Sequence, residues 1–285
     1  MPRRRPAAIL PCGGGFRVSF RQGGQLHEFG PLPSGAQAEL VCDVLSIKKA
    51  VDLHQPLQLR SRRRGGPLTA PPQDLLCALR HTSFARLAQQ LRACVPLLRR
   101  QSDVRLEYSA GYSLVHAAAF LGAAILIQLL LLVAGDSQAA SMDEGGRPPA
   151  YLAASQGHIS ALLLLLEAAP HTAAQPAVIN HWCPLVVAAK YGRTEVVRLL
   201  LQRAPGSITS ASLNGRTAAH LAAERNQAEA LQLLLAAAPQ LARAVSLLTG
   251  STPLHSASRS GSTDALQLLL ATAPDTVNAA DLAVH

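Results

Sequence analysis

Thr252–Pro274, TPLHSASRSGSTDALQLLLATAP, has a grammar that returns four times upstream. It opens on Thr-Pro-Leu-His and follows with a small pair, Ala257-Ser258. A turn residue, Gly261, comes next, and then a run ending Leu268-Leu269-Leu270 that stops at Ala273-Pro274. The equivalent openings begin at Ser113, Pro148, Cys183, Thr217 and Thr252, in steps of 35, 35, 34 and 35 residues. The small pairs are Ala118-Ala119, Ala153-Ala154, Ala188-Ala189, Ala222-Ala223 and Ala257-Ser258. The turn residues are Gly122, Gly157, Gly192, Asn226 and Gly261, and the leucine endings are 129–131, 164–166, 199–201, 233–235 and 268–270. A period of this size marks a repeat array.

Each part of the grammar has a physical reason. Paired small residues let the first helix of a copy lie close to the next copy. The turn residue permits positive φ. The leucines bury against the copies before and after, because a single copy cannot cover its own apolar face.

The phrase, the alanine pairs, Gly157-His158 and the triple leucine resemble the ankyrin repeat over roughly 175 residues. The resemblance implies a mainly α solenoid of helix-turn-helix copies, each with a protruding β-turn. It assigns His116, His220 and His255 to bonding backbone groups at that turn, a structural role. Tyr151 and Val186 replace this histidine in two copies. The family ends its second helix with Gly-Ala. Here Ala169-Pro170, Ala204-Pro205, Ala238-Pro239 and Ala273-Pro274 stand instead. Proline disfavours helix at the residue before it, so altered loops in the same stack are expected.

Full copies fall at about 109–142, 143–178, 179–211, 212–246 and 247–285. A degenerate copy at 73–105 has Thr82 at the turn and polar Arg80, Arg86, Gln89 and Arg92, which suit an amino-terminal cap. After Leu270 only Ala271–His285 remain, which reads as a truncated array or a poorly covered last face.

Residues 114–134 carry no Asp, Glu, Lys or Arg and are long enough to span a membrane. Gly122 splits the run, and the split recurs with the repeat in copies that hold charges, such as Glu195 and Arg198. No membrane insertion is expected.

The amino-terminal residues divide into a basic, disordered start at 1–12, a small segment at 13–56 and a linker at 57–72. Phe16, Val18 and Phe20 alternate with Arg17, Ser19 and Arg21, as in a half-buried strand. Gly23-Gly24 suits a hairpin. A helix follows from Ser34, with Leu40, Val41, Val44 and Leu45 on one face. This ββα pattern, with Phe29-Gly30-x-Leu32, Ala36, Ala38, Asp43 and Ile47, resembles the Apetala-type, ethylene-response-factor DNA-binding domain. That family's contacts come from Arg and Trp on the sheet. Only Arg17 and Arg21 correspond, and the first of the usual three strands is not recognisable. The alternative is a docking module or a relic.

The chain has 26 Lys/Arg against 17 Asp/Glu, a formal charge of +9. Residues 1–105 hold a surplus of 11, so attraction to nucleic acid through 1–72 would involve Arg17, Arg21, Arg60, Arg62, Arg63 and Arg64. A basic tail that only aids solubility is the other reading. MPRRRPAAILPC has too short an apolar run for a secretory signal, and it shares its Arg-rich, acid-poor character with organelle transit peptides. Five scattered cysteines without a CxxC pair fit free thiols in the cytoplasm or nucleus and argue against a metal site.

GxSxG, P-loop and GxGxxG motifs are absent from the sequence, and no close acidic pair suits hydrolysis. The expectation is a non-catalytic scaffold without cofactor that binds another protein. The ankyrin resemblance puts contacts on the concave face, at Tyr112, Arg147, Trp182, Arg216, Lys190, Tyr191, Arg225 and Arg259. Trp182 is the leading anchor, with coverage of its neighbouring repeat as the competing role.

Overall fold

A computed structural model describes residues 7–12, 15–22, 25–32, 35–52, 75, 78–79, 81–103 and 112–279. The linker with Arg60, Arg62, Arg63 and Arg64, the Gly23-Gly24 turn and the tail from 280 lie outside the described residues. The chain forms two compact units. One comprises 1–144 with 167–169, the other 145–166 with 170–285.

In the first unit, β1 (Ala7–Cys12), β2 (Gly15–Gln22) and β3 (Gln25–Leu32) form an antiparallel sheet in the order β1-β2-β3. Ala7 faces Phe20 in the register, and Gln22 faces Gln25. For residues 7–12 the expectation of a disordered start is corrected, since they form strand β1, while residues 1–6 lie outside the described residues. AAILPC hides the strand because it does not alternate and contains Pro11, which an edge strand tolerates. Val18, Phe20, Phe29 and Leu32 are buried with Ala38, Val41, Val44, Leu45 and Ile47 of α1 (Gly35–Asp52), which packs on the sheet.

The degenerate copy contributes α2 (Phe84–Asp103). Leu87 and Leu91 are buried, while Arg86, Gln89 and Arg92 are exposed, as a cap requires. Thr82 holds the turn by donating its hydroxyl to the Ala78 carbonyl at 2.8 Å. Phe84 stacks on Phe20 with ring centroids 5.6 Å apart, and the Arg92 guanidinium lies 5.4 Å from the Phe29 ring centre. The first full copy is α3 (Leu114–Phe120) and α4 (Ala124–Ala134). Helix α2 packs on α3, and α1 packs on α4.

The second unit holds the other four copies. These are α5 (Pro149–Gln156) with α6 (Ile159–Ala168), α7 (Pro184–Lys190) with α8 (Thr194–Arg203), α9 (Ala218–Glu224) with α10 (Ala228–Ala237), and α11 (Pro253–Ser260) with α12 (Thr263–Thr272). The first helices pack in series, α5 on α7, α7 on α9 and α9 on α11. Ala153, Ala154, Ala188, Ala189, Ala222, Ala223 and Ala257 are fully buried between them. The second helices α8, α10 and α12 pack in the same order through Val196, Val197, Leu200, Leu231, Leu234, Ala265 and Leu269.

The inter-helix turn residue is left-handed in every full copy, and Asn226 adopts it at φ 54° without being glycine. The Ala-Pro endings have one consequence throughout. Ala204, Ala238 and Ala273 leave the helix at φ between −141° and −147°, and the following proline opens a short 3-10 turn. A proline at the next position excludes the helical conformation before it, and its fixed φ suits the first residue of a new turn.

Candidate partner-binding face

In copies three to five the approach to the first helix is a finger of backbone. In the third copy the Ala177 N–H donates to the Trp182 carbonyl at 3.0 Å. In the fourth, Ser212 N–H donates to the Arg216 carbonyl at 2.9 Å, and in the fifth Ser246 N–H donates to the Ser251 carbonyl at 2.9 Å. In the second to fifth copies the chain is left-handed two residues before the first helix's N-cap, at Gly146, His181, Gly215 and Gly250. Fingers bond their neighbours as well. Val178 N–H reaches the Gly145 carbonyl at 2.9 Å, and Leu247 N–H reaches the Asn214 carbonyl at 2.9 Å.

The three repeat histidines sit where the resemblance puts them, each in a capping box. His116 accepts from Ser113 N–H at 3.1 Å, His220 from Thr217 N–H at 3.2 Å and His255 from Thr252 N–H at 3.2 Å, all through Nδ1. For His220 this fixes the tautomer. Nδ1 is the acceptor, so Nε2–H donates to the Ser251 carbonyl of the next finger at 3.0 Å. Burial above all pushes the His220 imidazole down to about 4. The buried ring thus bonds across two repeats.

Trp182 closes the third finger, half-buried, with its indole N–H enclosed and without an acceptor among the described residues. The Lys190 ammonium lies 4.4 Å from the Trp182 ring centre and 5.4 Å from that of Tyr191. Arg216, from the next finger, pairs with Glu224 at the end of α9. Burial, then Arg225, holds the Lys190 ammonium below the ordinary lysine range. Burial raises the Glu224 carboxyl, but the hydrogen bond and charge of Arg216 outweigh it and hold the group below the ordinary range. Trp182, Lys190, Tyr191, Arg216 and Arg225 thus form one cluster over two adjacent copies. Tyr191 is 48% exposed, and Arg225 and Arg259 are exposed too. Arg259 continues the row and donates from Nη2 to the Ser251 hydroxyl at 3.4 Å.

Two expected contact residues stand apart. Tyr112 is buried and stacks on His116 with centroids 5.3 Å apart, which removes it from an open surface. Arg147 is half-buried in the second copy's finger. The sequence reading also missed residues. Val178, Ile179, Leu213, Leu247 and Leu248 stand exposed at the tips of three fingers. Turn positions lack the helical period, so periodicity gave no sign of them.

In the amino-terminal sheet, Arg17 and Arg21 are exposed, as the alternation requires. Glu28 shares that face and pairs with Arg17 at 3.6 Å. Among the described residues no group of three His, Cys, Asp or Glu side chains could hold a metal ion, and no helix is long and apolar enough to cross a membrane.

The sequence model of a family described as "Ankyrin repeats (3 copies)" matches residues 114–209, 163–244 and 185–281. These matches leave residues 16–50 uncovered. No curated protein matches the chain.

Proposed function

We propose, from the premise that this chain belongs to the ankyrin-repeat family, that it is a non-catalytic scaffold holding another protein on its fingers and first-helix ends. The observation that carries this reading is the cluster of Trp182, Lys190, Tyr191, Arg216 and Arg225. Aromatic and arginine side chains supply much of the energy of protein interfaces, and the cluster concentrates them where two copies meet. Lys190, from the same copy, lies over the Trp182 ring, and Trp182→Ala distinguishes a binding role from coverage of the neighbouring repeat. A photo-crosslinking side chain placed at Tyr191 or Arg225 of the full chain tests it. Adducts with cellular protein are expected from these positions and not from Gln232 on α10. Adducts from Gln232 alone would refute the reading.

A second reading keeps nucleic acid as a ligand of the amino-terminal segment. Its support is a three-stranded antiparallel sheet followed by a helix, with Arg17 and Arg21 exposed on one face. Glu28 on the same face counts against strong phosphate binding. Retention of the full chain on duplex DNA as salt rises separates the readings.

A further inference from the structure

We infer that the segment held on this face is an extended protein strand in which carboxylates alternate with apolar side chains. The inference rests on the proposed function above and names the chemistry of its partner. Charge is segregated within copies three to five. On the fingers and first-helix ends, Lys190, Arg216, Arg225 and Arg259 stand against one carboxylate, Glu224. Among the described residues from 179 on, the rest are Arg193, Arg198, Arg203 and Arg243 against Glu195, Glu229, Asp264 and Asp275. The face is therefore positive on a stretch whose remainder is balanced.

Glu224 is paired with Arg216 and offsets one of these charges, which leaves the charges of Lys190, Arg225 and Arg259 in excess on this face. The Lys190 ammonium is held down first by burial and then by Arg225 and Arg216, with Glu224 pulling the other way, so the neighbouring cations do repel it. Added carboxylates would relieve this repulsion. Clustered charge of one sign selects partners of the other sign and speeds their encounter.

The finger tips supply the second half of the argument. Leu247 is 77% exposed, Val178 71% and Leu248 68%, with Leu213 and Ile179 beside them in neighbouring fingers. Exposed apolar side chains in a row beside a charged strip mark an interaction surface. Phosphodiesters would satisfy the cations but leave the tips in water. An acidic strand with apolar side chains satisfies both, which favours a protein segment over nucleic acid.

The test pans a displayed library of random peptides, about twelve residues long, on the full wild-type chain and on two variants. One is Arg225→Glu/Arg259→Glu, at two exposed positions, and the other is Trp182→Ala/Tyr191→Ala. Circular dichroism verifies the fold of each, and Arg225→Gln/Arg259→Gln replaces a reversal variant that fails to fold. The expected pool is rich in Asp or Glu interspersed with Leu, Ile, Val or Phe. Its members should quench or shift the fluorescence of Trp182, the only tryptophan, and bind the charge-reversed chain roughly tenfold or more weakly. A neutral or basic pool, or no enrichment, would overturn the inference. A pool that depends on Trp182 and Tyr191 but ignores charge reversal would also overturn it while leaving the docking face in place. A pool indifferent to both variants would remove the face itself. Binding of a short DNA duplex that perturbs Trp182 and is lost on charge reversal would replace the acidic strand by nucleic acid.

Discussion

His220 makes the second unit sensitive to acid in a way that can be worked out in advance. Its ring is fully buried, accepts from Thr217 and donates to the Ser251 carbonyl of the next finger. Protonation would place a hydrogen on Nδ1, facing a donor, and a charge in an apolar site. Burial accordingly pushes the imidazole down to about 4, against 6.5 in the unfolded chain. Between those values the unfolded state binds the extra proton and the folded state does not. Stability from His220 is therefore complete above about pH 6.5 and is lost as pH falls through that window, reaching about 3 kcal/mol near pH 4. Between about pH 7.5 and 5 the expected loss is about 2 kcal/mol. Urea unfolding followed by Trp182 fluorescence reads the second unit directly, since Trp182 lies in it. In His220→Ala the midpoint should drop at neutral pH by an amount fitting about 2–4 kcal/mol, from the lost bonds and the small cavity. More tellingly, the variant should lose about 2 kcal/mol of the wild-type difference between the two pH values. An unchanged pH difference in His220→Ala would refute the buried neutral imidazole, however much the variant is destabilised.

Tyr191→Ala should weaken binding of the selected peptide or crosslinked partner by about 2 kcal/mol in a fluorescence titration, while the urea midpoint stays within about 0.5 kcal/mol of wild type. Trp182→Ala, measured by peptide anisotropy because the tryptophan is gone, should weaken binding by a similar amount of about 2 kcal/mol and cost less stability than the about 3–5 kcal/mol of a core tryptophan. Gly215→Ala should destabilise the second unit by about 2–3 kcal/mol in urea melts, since φ is +74° and an added Cβ would lie 2.6 Å from the Leu247 backbone nitrogen. Gly206→Ala, where nothing lies within 4 Å, is its near-neutral control. If the amino-terminal sheet binds DNA, Arg17→Gln/Arg21→Gln should lower retention and reduce the salt slope by roughly 2, whereas no retention of wild type at low salt would retire that reading.

What could be read in advance follows from what repeats. The alanine pairs, turn residues and leucine endings serve the same contact in each copy, so their period exposes both the helices and their packing partners. Trp182, Lys190, Tyr191, Arg216 and Arg225 were reachable because the resemblance fixes where finger and helix-end positions fall. Contacts made once leave no such trace. The His220 to Ser251 bond joins different copies, and Lys190 over Trp182 depends on one side-chain direction. The fingertip residues Leu213 and Leu247 occupy turns whose composition varies from copy to copy. Tyr112 illustrates the reverse error. Its position in the grammar matches Trp182, yet it is stacked on His116 and buried.

The uncharged run at 114–134 shows how a local signal is settled by its surroundings. Gly122, at φ 67°, breaks it into α3 and α4, so neither piece has the length of a span. That break alone does not explain why α4 lacks the charges found on α8, where Glu195, Arg198 and Arg203 face water. The difference lies in what packs alongside. No residue of α4 is exposed, and α1 of the amino-terminal segment lies against it in addition to α3 of its own copy. A helix covered on most sides is apolar all round, and a charge there would be buried without a partner. The composition that resembles a membrane span therefore records the docking of the βββα segment onto the first full copy. It also gives that segment a structural role in the first unit, independent of whether Arg17 and Arg21 ever meet a nucleic acid.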